Sequence, residues 1–362
     1  MLRLASPFIL APMAGLTDSA FRRLVKRRGG CGLVVTEMVS SEGLVRGLDR
    51  TLEYAAFTEE ERPVAVQLFG GDPERMARAA RRIEQLGADA IDVNMGCPVP
   101  KVAKGMAGCS LMRDPDRAAA IVEAMARAVS VPVTVKIRSG WNEREVNAPD
   151  LACRLEAAGA AAIAVHGRTA AQSYSGRANW DLIAHVARAV SIPVYGNGDC
   201  IEPGDMVRRM EETGVAGILV GRGALRNPWI FAQADALLAG RAPVEVSLAD
   251  RGRFLLEYTD MLVAEEPEAG SREPEAGSRP RPLGRQQAAR PLRLVHPWPR
   301  RRRPPSRSRQ PRAVDRLASR NHPRLLLHSG LTSKSPTPHR PAFVATRLRR
   351  GRQPRPLIAS SD

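Results

Sequence analysis

Along residues 8–220, short apolar runs rich in β-branched residues alternate with longer stretches whose apolar positions recur every three or four residues. The first pattern predicts buried strands and the second amphipathic helices, and their alternation predicts parallel strands joined by crossover helices. Eight runs can be counted: FILAP from Phe8, LVVTE from Leu33, VAVQLF from Val64, AIDVN from Ala90, VTVKI from Val133, AIAVHG from Ala162, PVYGNG from Pro193 and GILVG from Gly217. The stretches between them tend to end at glycine, as DPERMARAARRIEQLGA from Asp72 does at Gly87, a common way to stop a helix. Eight such units predict an α/β chain folded as a closed (β/α)8 TIM barrel, with a doubly wound open sheet as the alternative.

Polar side chains decide between the two. Gln67, Asn94, Lys136, His166 and Asn197 lie toward the C-terminal ends of their runs. One such residue can simply solvate a strand terminus. Five of them in a barrel converge on a single mouth, where rigid strand ends and variable loops place the chemistry of this architecture.

The formal charge of +17 over 362 residues suggests a nucleic-acid partner until it is located along the chain. Residues 265–362 hold 23 Lys+Arg and 7 Asp+Glu, whereas residues 1–264 hold 32 basic and 31 acidic groups, so the barrel is nearly neutral. Cys31, Cys97, Cys109, Cys153 and Cys200 all precede the basic segment, and none has a Cys-x-x-Cys partner. That argues against a zinc or redox pair and for a reduced, cytoplasmic protein with no metal. The start MLRLASPFILAPMAG merges into the first strand without the layout of a signal peptide, and no run of about twenty apolar residues offers a membrane span. A monomer is expected.

After the last run, LADRGRFLLEYTDMLVAEE from Leu248 reads as the opening helix of a second domain. The expected organisation is a barrel over residues 1–242, a truncated helical start over residues 243–264, and a tail over residues 265–362. Residues 266–272 read EPEAGSR, residues 273–279 repeat them letter for letter, and the remainder is rich in Arg, Pro and Ser without periodicity. Such a segment buries too little apolar surface to offset its ordering entropy, so disorder is expected there. Two origins fit the tail: a basic arm for RNA, or an out-of-frame translation of a GC-rich gene that once encoded an ordinary C-terminal domain. The duplication, the abrupt end of the helix pattern and the absence of Asp or Glu between Glu275 and Asp315 favour the frameshift.

The motifs are more specific than the pattern. APMAGLTDSAFR, residues 11–22, is by itself a strand end, a turn through Gly15 and a helix start at Thr17 and Asp18. It is followed in order by VQLFGGDP from Val66, DVNMGCPVPKV from Asp92, VKIRSGW from Val135, VHGRT from Val165, NGD from Asn197 and VGRGALRNPWIF from Val220. Over about residues 8–240 these motifs together resemble the tRNA-dihydrouridine synthase family, nearest its bacterial B-type branch. The resemblance implies an FMN enzyme that uses NADPH and reduces selected uridines of tRNA to 5,6-dihydrouridine. Hydride must reach C6 of the uracil and a proton C5. A flavin delivers the hydride, while protein groups orient the ring, stabilise its anionic reduced form and supply the proton.

Cys97 stands at the family's proton-donor position. A thiol of ordinary pKa, about 8.5, is largely protonated near neutrality and still able to donate. The other four cysteines are expected to be small buried hydrophobes. The loop from Cys97 to Gly108, with Lys101, Lys104 and Gly105, is expected to be mobile and to fold over the substrate. Lys136, a charge inside an apolar run, is expected beside N1 of the flavin, with a lysine reaching out to solvent as the alternative. His166 resembles the family's flavin-side histidine, with a satisfied core histidine as the alternative.

Gln67 is expected at the flavin's pyrimidine edge, and Pro12, Met13 and Ala14 along its ring. The flavin phosphate is expected on Asn197, Gly198 and Asp199 together with Gly221 and Arg222, after the seventh and eighth strands. Asn94 is assigned to the uracil edge. Arg138 and Arg168 are candidate substrate or phosphate contacts, with ordinary surface arginines as the alternative. A stacked base must be flipped out to reach such a site, and the family holds the surrounding RNA largely with a helical C-terminal domain. This chain departs from that pattern beyond about Glu265. Two competing readings stand: a flavin barrel reductase acting on a small molecule such as dihydroorotate, and a non-catalytic RNA-binding remnant carrying an arginine-rich tail.

Overall fold

The computed structural model describes residues 3–264 except Lys104. The expectations for residues 265–362 and for Lys104 therefore lie outside the described residues. All eight apolar runs form strands: β1 (Phe8–Leu10), β2 (Leu33–Val35), β4 (Val64–Phe69), β5 (Ala90–Met95), β6 (Val133–Arg138), β7 (Ala162–His166), β8 (Val194–Asn197) and β9 (Gly217–Val220). A two-residue strand that the pattern did not foretell, β3 (Val39–Ser40), extends the wall beyond β2 by pairing Val39 with Leu68 and Ser40 with Phe69 of β4. Every pairing between these strands is parallel, and β2 bonds to both β1 and β4, so the sheet closes into an eight-stranded barrel. The open-sheet alternative is thereby removed.

Two-residue periodicity divides each strand between two environments. Val64, Val66, Leu68, Ile91, Val93, Val133, Val135, Ile163 and Val165 turn outward into the main core under the helices. The intervening positions face the barrel axis. Toward the N-terminal end these are apolar and include Ile9, Leu33, Val35, Ala65, Ala90 and Leu219, which form a separate cluster inside the barrel. Toward the C-terminal end the inward positions turn polar, and this change of character along each strand builds the site.

Four helix starts are fixed by acidic or amide caps. Asp18 accepts from the N–H of Phe21 at 2.9 Å, Asp72 from Arg75 at 2.8 Å, Asp114 from Arg117 at 3.2 Å and Asn179 from Leu182 at 2.9 Å, each worth about 1 kcal/mol. Asp18 is the cap of the helix Ser19–Arg28, whereas Thr17 folds back to bond the backbone of Met13.

The expected opening helix of a second domain is present as Leu248–Ala264 and lies against Ser19–Arg28. Phe254 and Tyr258 meet Phe21 edge-on at 6.2 and 6.1 Å between ring centroids. Tyr258 also donates to Asp18 at 2.7 Å, and Arg28 lies over Trp229 and Phe254.

Candidate active site

The parallel register sets the polar residues side by side at the C-terminal mouth. Gln67 of β4 is level with Asp92 of β5, Asn94 of β5 with Lys136 of β6, and Arg138 of β6 with His166 of β7 and then Asn197 of β8. The five polar strand ends read from the sequence thus share one rim, and beneath it lies the buried Asp92, whose importance no local pattern announced.

A continuous hydrogen-bonded chain runs up one side of this rim. Thr134 donates to Oδ1 of Asp92 at 2.6 Å, and Gln67 donates through Nε2 to Oδ2 at 2.6 Å. Asn94 donates through Nδ2 to Oε1 of Gln67 at 2.8 Å. The carbonyl of Asn94 then accepts the backbone N–H groups of Gly96 at 3.2 Å and Cys97 at 2.9 Å. Gln67, Asp92 and Asn94 are all buried, and burial pushes the Asp92 carboxyl up to about 6 against the hydrogen bonds that oppose the shift.

Cys97 is half-buried, just past the end of β5. Its carbonyl accepts from the N–H of Cys109 at 3.1 Å, and Gly108, at φ +61°, packs so closely that a Cβ there would stand 2.7 Å from that carbonyl. The segment between them contains one helical turn, Pro100–Ala103, followed by the 3-10 helix Gly108–Arg113. Cys31, Cys109 and Cys200 are buried, and burial pushes the Cys31 and Cys200 thiols up to about 11 and about 12. Cys153 is a correction: it lies exposed on the helix Ala148–Ala157, because hydrophobic character alone does not say which helix face a cysteine occupies.

Positive charge gathers beside that chain, from β6 onward round the barrel. Lys136 is half-buried and makes no hydrogen bond or ion pair among the described residues. Burial and then Arg138 pull its ammonium down to about 8, while Asp92 and Cys97 act the other way. Burial and the surrounding charges of Lys136, Arg138, Arg168 and Arg222 hold His166 neutral, pulled down to about 2. The ring of His166 lies beside Gly198, 3.5 Å from where a Cβ of that residue would stand.

Neither Arg138 nor Arg168 is an ordinary surface arginine. Arg138 is buried and donates to the carbonyls of Gly96 at 2.7 Å, Thr169 at 3.0 Å and Ser173 at 2.8 Å, tying the Cys97 loop to the loop after β7. Arg168, only 2% exposed, grips Asp199 with Nη2 at 2.8 and 2.9 Å and donates to the carbonyls of Ser175 and Gly176.

Asp199 also accepts the N–H of Ala178 at 2.7 Å, so its carboxylate is already engaged by protein. The amide of Asn197 donates to the carbonyl of Leu219 at 2.9 Å. By contrast, the backbone N–H groups of Gly198, Asp199 and Gly221 donate to no acceptor among the described residues. Pro12 and Met13 are half-buried and Ala14 exposed, and a Cβ on Gly221 would stand 3.1 Å from Sδ of Met13, so the turn after β1 abuts the loop after β9.

One rim residue went unread in the sequence. Tyr174, 61% exposed, has the guanidinium of Arg138 5.8 Å and that of Arg222 5.5 Å from its ring centroid. A separate cavity of about 60 Å³ opens at the other end of the barrel among Leu4, Ile9, Leu33 and Tyr195, touching the polar chain only through Asp92 and Thr134. Among the described residues no three His, Cys, Asp or Glu side chains gather as metal ligands.

A closed parallel barrel with a thiol, an unpaired lysine and unused N–H donors gathered at its C-terminal mouth has the layout of a barrel enzyme, whose chemistry sits at that end of the strands. The chain belongs to the Dihydrouridine synthase (Dus) family, whose profile it matches over residues 9–269. It is 44% identical over 265 residues to the "Probable tRNA-dihydrouridine synthase" of Rhodobacter capsulatus, covering 73% of this chain and 82% of that one. It is 42% identical over 264 residues to the protein of the same name from Rickettsia bellii, covering 72% and 81% of the two chains. To "tRNA-dihydrouridine synthase B" of Pseudomonas aeruginosa it is 46% identical over 235 residues, covering 65% and 70%.

Proposed function

We propose that this chain reduces uridine in tRNA to 5,6-dihydrouridine, with FMN held at the barrel mouth, NADPH as reductant and Cys97 as proton donor. The observation that carries the reading is a half-buried lysine, bonded to no protein anion, on the same rim as a half-buried thiol. A cation partly withdrawn from water without a partner is costly, and an anionic ligand reduces that cost. Membership of the family, whose curated relatives are named for tRNA, favours this substrate over a small molecule.

The donor set fits a flavin mononucleotide. Gly198, Asp199 and Gly221 would offer backbone N–H groups to its phosphate and Arg222 a guanidinium, while His166, kept neutral, would add an uncharged ring nitrogen. Lys136 would face the N1 side of the ring, and Gln67 would meet the pyrimidine edge with the amide hydrogen and lone pair left over from its bonds to Asp92 and Asn94. Asn197 would act mainly by bracing the wall, and Pro12, Met13 and Ala14 would line the ring. When bound, FMN supplies the hydride for C6 of the uracil.

The remaining work belongs to the side chains. Asn94, whose Nδ2 also meets the sulfur of Met38 at 3.8 Å, would turn its second amide hydrogen from that weak contact to a carbonyl of the extruded base. Cys97 gives its thiol proton to C5 as the hydride enters C6, leaving a thiolate that Lys136 and Arg138 stabilise until solvent reprotonates it. Tyr174, between two guanidinium groups, would give the rim a flat face for a base and positive charge for its phosphate. A tRNA substrate and a reduced flavin both suit a cytoplasmic enzyme; separately, no helix among the described residues is long and apolar enough to cross a membrane.

Cys97→Ala tests the assignment. The variant should retain flavin and its reduction by NADPH while dihydrouridine formation in unmodified tRNA falls about 100-fold or more, the usual contribution of a positioned acid. Undiminished turnover would remove Cys97 as the donor.

A further inference from the structure

The chain of bonds beneath the rim points to a role for a residue that neither touches substrate nor lines the mouth. We infer that Asp92 is the positioning residue for Cys97, acting through Gln67 and Asn94 to hold the backbone that carries the thiol. The inference deepens the proposed function, since it takes Cys97 as the proton donor.

An ionised carboxylate can only accept, so the two short contacts to Asp92, both 2.6 Å, determine which end of the Gln67 amide turns toward it. The NH2 group of Gln67 must point at Asp92, which leaves its carbonyl to receive the NH2 group of Asn94 at 2.8 Å. That in turn leaves the carbonyl of Asn94 to receive the N–H groups of Gly96 and Cys97 at 3.2 and 2.9 Å. Each link is polar in one sense only. The loop N–H groups at the top and the carboxylate at the bottom demand the same orientation of both amides, so the chain has no internal conflict.

All three side chains in it are buried, where a hydrogen bond is stronger than in water and a missing one costlier. Asp92 sits on the rigid strand β5, two residues below Asn94, with its second oxygen tied to Thr134 of the neighbouring strand β6. The thiol is thus referenced to the barrel wall through side chains, in addition to the covalent path through Met95 and Gly96.

The experiment reads the position of the thiol directly, through the rate at which iodoacetamide alkylates Cys97, followed by peptide mass spectrometry in a Cys153→Ser background. Alkylation reports how firmly Cys97 is held whether or not it donates a proton, so failure of this inference is distinguishable from failure of the proposed reaction. Asp92→Ala removes the anchor and should raise the Cys97 rate about tenfold, the effect of one charge-assisted hydrogen bond on a local opening equilibrium. Asp92→Asn keeps the shape and an acceptor for Gln67 and should stay within about threefold of the parent, a rescue that general loss of packing would not give.

Asn94→Ala cuts the last link. In that background Asp92→Ala should add nothing further, because both changes break one path. If Asp92→Ala does not give folded protein, Gln67→Leu breaks the same chain one step higher and should give the same increase. An unchanged alkylation rate in the folded variant that lacks the anchor, or multiplying effects of Asp92→Ala and Asn94→Ala, would overturn the inference.

Discussion

Replacing Lys136 by Met should stabilise the flavin-free protein while weakening its hold on flavin. The side chains are similar in length, so the main change is loss of an ammonium group that no protein anion bonds. Burial, with Arg138 adding to it, pulls Lys136 from an ordinary value of 10.5 down to about 8. At about 1.4 kcal/mol per pKa unit, carrying that charge in the folded state costs about 3 kcal/mol as an upper figure, and partial contact with water reduces it.

Because the folded value lies below the unfolded one, the cost is full below pH 8, fades between pH 8 and 10.5 as the folded form loses its proton first, and vanishes above. Thermal melts of flavin-free protein at pH 7 should therefore show Lys136→Met melting about 5 °C higher, from roughly 2 °C per kcal/mol for a domain of this size. The gap should narrow as the pH approaches 10. Adding FMN should reverse the order, because only the parent gains a counter-charge for its lysine, and linkage makes that gain visible as a larger ligand-induced shift. A flavin-free variant less stable than its parent at pH 7 would refute the reasoning.

Two further outcomes test other parts of the account. Asp199→Asn should destabilise the protein by about 3 kcal/mol and lower retained flavin, because Arg168 keeps its buried charge and loses its carboxylate; chemical denaturation and the flavin-to-protein absorbance ratio measure both, and an unchanged midpoint would refute it. Phe254→Ala should cost about 3 kcal/mol and increase hydrogen exchange in residues 248–264, since its ring joins Phe21, Trp229 and Arg28; exchange confined to other segments would show that this helix is not held there.

The strands were legible because a barrel wall repeats one demand at each turn: outward apolar positions at period two, then a polar residue near the end. Gln67, Asn94, Lys136, His166 and Asn197 could be gathered at one mouth on that ground alone. Asp92 could not, because within AIDVN it is only a polar letter in a strand, and its meaning lies in bonds to Gln67 and Thr134 of neighbouring strands. Arg168 and Asp199 were read separately, as a possible ligand contact and a phosphate contact, yet they bind each other across 31 positions of sequence. Tyr174 was passed over in an irregular loop where no periodicity operates. Cys153 was misassigned because a cysteine's hydrophobicity gives no direction on a helix. Local pattern thus carried the architecture, while pairings between distant residues carried what it missed.

The account's central claim is a chemical product. The purified 362-residue chain, incubated with FMN, NADPH and tRNA lacking modifications, should convert uridine to dihydrouridine, read by mass spectrometry of the digested nucleosides. Flavin-loaded protein that consumes NADPH and leaves every uridine intact would contradict it.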